Sequence, residues 1–152
     1  MHSMKRYIST SALLLGLLAW LLPTAQAEQK ERFDNYDVHY SIVNSTFLSP
    51  QVAKTYGIVR GDDRFIINIA VRENLDNGST VARKAEISGS RFDLIHRITL
   101  DFMEIDEGTA IYYIAQFQAN DKEKLDFTLK IHPETSRRSY KMQFNKVMYE
   151  SE

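Results

Sequence analysis

The chain contains no cysteine. That absence excludes disulfides, thiol catalysis, iron–sulfur clusters, thiolate metal sites and an acylated cysteine anchor. Such a domain is held together by its core alone, and an oxidising compartment leaves it unchanged. Small eukaryotic secreted domains lean on disulfides, so their lack favours a bacterial periplasm. Positive charge is not in surplus either: 19 basic residues stand against 20 acidic ones, with the signs mixed along the chain. A nucleic-acid partner requires basic charge gathered on one face, so none is expected. The apolar run at residues 8–22 is 15 residues long. It falls short of the ~20 residues that cross ~30 Å of hydrocarbon. Also missing are a Gly-x-Ser-x-Gly nucleophile elbow, a His-x-His pair, repeats, low-complexity tracts and linkers.

What the short apolar run does fit is a secretory signal peptide. Lys5 and Arg6 precede it, Pro23 ends it, and Ala25-Gln26-Ala27 follows. Small side chains at the first and third positions of that triplet suit a signal peptidase pocket. Cleavage is expected after Ala27, with Glu28 opening the mature chain and no membrane span left; an uncleaved anchor is the alternative. Removing residues 1–27 leaves 125 residues and takes away the only tryptophan, Trp20. It leaves 17 basic against 20 acidic side chains, a net charge of −3 with histidine neutral. Residues 28–152 fit one domain, which can bury roughly two-thirds of its unfolded surface.

Through the mature chain the hydrophobic period is two. Tyr36, Val38, Tyr40 and Ile42 alternate with polar residues, as do Phe65, Ile67, Ile69 and Val71. The pattern returns at Val81, Ala85 and Ile87, at Leu94, Ile98, Leu100 and Phe102, and at Ile111, Tyr113, Ala115 and Phe117. It continues at Leu125, Phe127, Leu129 and Ile131 and closes with Tyr140, Met142 and Phe144. There the apolar set shifts to Val147 and Tyr149, which predicts a bulge near Asn145 or Lys146. Turn chemistry separates the segments at Asp76-Asn77-Gly78-Ser79, Asp106-Glu107-Gly108 and Asn120-Asp121. About seven such strands predict an all-β, immunoglobulin-like antiparallel sandwich. One short helix interrupts them. Ser49 suits its N-cap, Pro50 its first position and Gly57 its left-handed stop. It would link the first two strands, and through them the two sheets.

Three stretches carry a family resemblance. They are Asn44-Ser45-Thr46-Phe47-Leu48-Ser49-Pro50 followed by Val52-Ala53 and Tyr56-Gly57-Ile58-Val59-Arg60, then Glu107 through Ile114 with its Ala-Ile-Tyr-Tyr strand, and the closing region from Phe144 to Tyr149. Together they resemble an uncharacterised exported domain family of gammaproteobacteria, catalogued as a domain of unknown function, across essentially the whole mature chain. The resemblance implies a small β-rich periplasmic domain and assigns no activity.

Chemistry-bearing residues are sparse. His39, His96 and His132 lie on separate strands, and metal binding needs at least three converging ligands; Met103, Met142 and Met148 do not cluster with them. Asp101, Glu104, Asp106 and Glu107 fit a solvated hairpin tip better than calcium, which takes six or more oxygens. Arg60-Gly61-Asp62 reads as a turn. The sequons at Asn44 and Asn77 stay bare in a bacterial periplasm, and the first suits backbone capping. The segment from residue 44 to 60 is the leading site candidate, since function gathers on loops carried by a rigid scaffold. Within it Asn44, Thr46, Tyr56 and Arg60 are candidate binding residues. The plainer reading makes Phe47, Val52 and Tyr56 a plug at one end of the core. Tyr112 joins the candidates, because either it or Tyr113 must face away from the core. The function expected is a non-catalytic periplasmic binding module for an envelope protein or component, with no cofactor. The alternative is a small-molecule or metal-handling protein, or a weak hydrolase.

Overall fold

The computed structural model describes residues 29–151. The expected leader, its cleavage point after Ala27 and the new terminus at Glu28 lie outside them. The described strands are β1 (Gln29–Phe33), β2 (Tyr36–Asn44), β3 (Arg64–Asn74), β4 (Thr80–Ala82), β5 (Ala85–Phe92), β6 (Arg97–Leu100), β7 (Met103–Asp106), β8 (Ile111–Gln118), β9 (Lys124–Pro133) and β10 (Tyr140–Val147). A 3-10 turn, Ser45–Phe47, and one helix, α1 (Pro50–Thr55), lie between β2 and β3. The larger sheet runs β1-β2-β3-β8-β7, with β4 attached to β3, and the smaller runs β10-β9-β5-β6. Every pairing is antiparallel.

Period-two alternation places one side of each sheet against the other. Val38, Ile67, Ile69 and Val71 from the larger sheet meet Leu125, Phe127, Leu129, Ile131 and Met142 from the smaller, all essentially sealed from solvent. Burying each such side chain is worth roughly 1.5–3 kcal/mol. Aromatic pairs join the layers, with Tyr40 4.5 Å from Phe144 and Phe117 5.4 Å from Phe127 between ring centroids. The result is the predicted all-β sandwich.

Several details differ from the pattern in the sequence. There are ten described strands, not seven, because β1 was not among those predicted and because the chain changes sheets within two of the predicted strands. The stretch expected around Val81 to Ile87 divides into β4 on the larger sheet and β5 on the smaller. The stretch around Leu94 to Phe102 divides into β6 and β7 in the same way, and Leu94 stands outside both. The helix does not bridge the sheets, since β2 and β3 are neighbours in one sheet. No bulge interrupts β10, whose register with β9 runs unbroken from Tyr140↔Ile131 to Val147↔Lys124. The inward phase of β10 continues through half-buried Lys146 to Met148, while Val147 and Tyr149 face solvent.

A candidate docking end and a polar sheet face

The sequence candidates between residues 44 and 60 gather at one place but spend their bonding capacity on each other. The buried Asn44 Oδ1 accepts from Thr46 N at 2.9 Å and Thr46 Oγ1 at 2.7 Å, while its Nδ2 donates to Asp62 O. Arg60 donates to Thr46 O at 3.0 Å, and Ser45 Oγ accepts from Gly61 N at 3.0 Å. These bonds tie the end of β2 to the loop that enters β3. Tyr56 and Val52 do not plug the core. They pack with Leu48, Ala53, Ile58 and Ile66 over the outer face of the larger sheet, and Phe47 points into solvent. Tyr112 is half-buried on the same sheet beside Ile105, and Tyr113 faces inward.

The registers define the two ends of the sandwich. β2, β5, β8 and β10 finish, and β3, β6 and β9 begin, at the end that holds α1. Ala119 N on Asp63 O and Ser151 Oγ on Asp62 Oδ1 tie its loops together. Eight large hydrophobic residues are exposed among those described, and Phe47, Val59, Leu94, Ile95, Ile98, Val147 and Tyr149 lie at this end; only Met103 does not. Leu94 and Ile95, each 79% exposed, form the tip between β5 and β6.

The backbone of that tip is constrained. Leu94 has φ +80°, a left-handed conformation that a bulky residue seldom adopts. Asp93 Oδ1 holds it by accepting from His96 N at 2.7 Å and Ile95 N at 3.0 Å. Those backbone bonds, first that of His96 and then that of Ile95, keep the Asp93 carboxyl below its usual range. Beneath the tip Arg91 is buried opposite Phe127, with Nη1 3.6 Å from Asp93 Oδ2. The opposite end is closed by charge. Arg32 donates to both Asp37 oxygens, at 2.7 and 3.0 Å. Arg138 and Tyr140 converge on Asp34 Oδ2 at 2.6 and 2.7 Å. The Arg32 hydrogen bonds outweigh burial and hold the Asp37 carboxyl well below the carboxylate range.

The outer face of the smaller sheet is polar. A groove of about 290 Å³ runs over it, lined by Phe92, Arg97, Asp126, Thr128, Gln143 and Asn145. Register sets Phe92, Asp126 and Asn145 side by side across three strands, with Arg97 over the Phe92 ring at 5.1 Å. Farther along the face a second depression of about 160 Å³ holds Glu86, Ser88, Lys130, His132 and Ser139. Ser139 Oγ lies 3.2 Å from His132 Nδ1, and Glu86 stands opposite His132 in register. A nucleophile relay needs the acid on the other ring nitrogen, and no Glu86–His132 hydrogen bond is formed.

The three histidines fall at three separate places: His39 mid-sheet, His96 at the tip and His132 here. Among the described residues no three His, Asp or Glu side chains converge as a metal site, and no helix is long and apolar enough to cross a membrane.

The tip was missed because Leu94 fits the period-two stripe of the following strand. Two adjacent aliphatics after a turn-forming Asp93 break that period, and this was the available signal. The groove gave none, because its members come from four strands.

The family model described as a domain of unknown function, DUF4426, matches residues 30–151. A crystal structure of a protein of that family from Pseudomonas aeruginosa is 36% identical, covers 84% of this chain and 98% of its own, and superposes with a TM-score of 0.72. A copper-bound variant of FetP from uropathogenic Escherichia coli shares the fold at a TM-score of 0.57 with 8% identity, covering 83% of this chain and 92% of its own. No curated protein matches the chain.

Proposed function

This chain belongs to the DUF4426 family of domains of unknown function, and on that premise we propose that it is a non-catalytic periplasmic binding module that docks an envelope protein through the apolar end of its sandwich. One observation carries the reading. Among the described residues, seven of the eight exposed large hydrophobic ones share that end, and its two most exposed members sit on a tip whose backbone is held in an unfavourable conformation. Exposed apolar side chains gathered at one end fit an interaction surface, and backbone strain collects where a side chain must be presented. Mixed charges on the loops of this end, with Asp62, Asp63 and Asp121 as well as Arg60, Arg97 and Lys122, fit a protein partner better than an anionic bilayer. Copper stays with FetP, since a likeness of 8% identity carries the fold alone.

Wild-type protein immobilised on resin should retain one partner from periplasmic extract at stoichiometric yield. The Leu94→Ser/Ile95→Ser variant, with an unchanged far-UV spectrum, should lose it. Equal retention by both proteins would sink the reading.

A further inference from the structure

We propose that the outer face of the smaller sheet binds an acidic oligosaccharide, with one sugar ring on Phe92 and an anionic substituent between Lys130 and Lys141. The inference rests on the protein being a binding module, and its face adjoins the apolar end at Phe92 and Arg97 while Lys130 and Lys141 lie farther along the strands. Three observations support it. The Phe92 ring and the Arg97 guanidinium that lies over it at 5.1 Å line one side of the groove, an apolar wall with donors beside it against which a sugar can pack. Beside it, the Asp126 carboxylate and the Asn145 amide form no side-chain hydrogen bond among the described residues, and Thr128 with Gln143 fills the next row. Short acceptors and donors of both kinds suit vicinal hydroxyls.

The third observation is electrostatic. Lys130 and Lys141 stand directly opposite each other, and neither has an ion-pair partner among the described residues. Like charges in that position destabilise a sheet, and a bound carboxylate or phosphate would relieve the repulsion. The face bears Arg97, Lys124, Lys130 and Lys141 against Glu86 and Asp126, although the mature chain is net acidic. Lys130 stands four positions beyond Asp126, about 13 Å at the rise of a strand, which is within reach of a short saccharide lying along it. An acidic peptide fits less well, because strand addition needs a sheet edge and this is a face.

Tetragalacturonate titrated into the mature domain by calorimetry is the test. Binding should weaken at least tenfold in Lys130→Ala/Lys141→Ala and in Phe92→Ala. Asn145→Ala, on the exposed surface, gives the same readout should Phe92→Ala fail to fold. Neutral maltotetraose should bind at least tenfold more weakly, and hexaglutamate should not compete. Absence of tetragalacturonate binding, equal binding of hexaglutamate, or variants indistinguishable from wild type would each overturn the proposal. The Leu94→Ser/Ile95→Ser variant should bind the saccharide normally, so failure at the apolar end and failure here are separable; loss of saccharide binding in that variant would overturn the placement.

Discussion

A Cβ on Gly89 would overlap Leu129 Cδ2 and lie 2.9 Å from Thr128 O. The absent side chain therefore lets β5 and β9 carry Leu129 between them, and the requirement comes from close approach, not from an unusual φ. Gly89→Ala should cost about 1–3 kcal/mol by overpacking, read as a lower urea midpoint with an unchanged slope. Tyr113 acts at the same scale. Its hydroxyl accepts from Ala85 N at 2.8 Å and donates to Glu104 Oε2 at 3.0 Å, tying β5 of one sheet to β7 and β8 of the other. Burial is the main cause that pushes this hydroxyl up to about 12, above the ordinary ~10. The fold favours the neutral form, so the contribution is intact below pH ~10 and is lost as the pH rises to about 12. Tyr113→Phe leaves Ala85 N–H without its acceptor and should cost about 1–3 kcal/mol at neutral pH. The same variant should flatten the alkaline limb of a stability–pH curve; an unchanged limb would contradict this account of the hydroxyl.

At the scale of elements, α1 was legible because its signals are local. Ser49 Oγ accepts from Val52 N at 3.3 Å, Pro50 stands at the start, and Gly57 has φ +64°, each at its predicted place. β10 was misread because its inward phase contains a lysine. Lys146 lies where Tyr140, Met142 and Phe144 point to the next apolar residue, and its ammonium donates to Ile42 O at 3.0 Å. Lys146 thereby ties the end of β10 in the smaller sheet to β2 in the larger one. Burial lowers its pKa, a cost that the bond to Ile42 O offsets. Lys146→Ala should lower stability by about 1 kcal/mol and speed amide exchange near Ile42. Unchanged exchange there would show that the bond to Ile42 O does not hold that part of β2. The sheet changes at residues 83–84 and 101–102 were hidden for another reason. Hydrophobic period reports which face of a strand is buried, and both sheets bury the same kind of face.

At the scale of the molecule, the sandwich is polar along its strand axis. One end is stitched by Arg32–Asp37, Arg83–Glu73 and Arg138–Asp34, and the other carries the exposed Phe47, Val59, Leu94, Ile95 and Tyr149. The sequence led to the correct end through residues 44–60, yet Asn44, Thr46 and Arg60 turn out to brace the loops there. The tip that presents the apolar surface lies more than thirty residues farther along the chain and reaches the same end only through the fold. Such long-range placement is invisible to local periodicity. The most direct test of the docking account is in-cell photo-crosslinking, with a benzophenone side chain installed at Ile95 and, as control, at the exposed Arg137 of the opposite end. The account predicts one discrete adduct of a second protein from position 95 and none from position 137. No adduct at 95, or the same adduct from both positions, would contradict it.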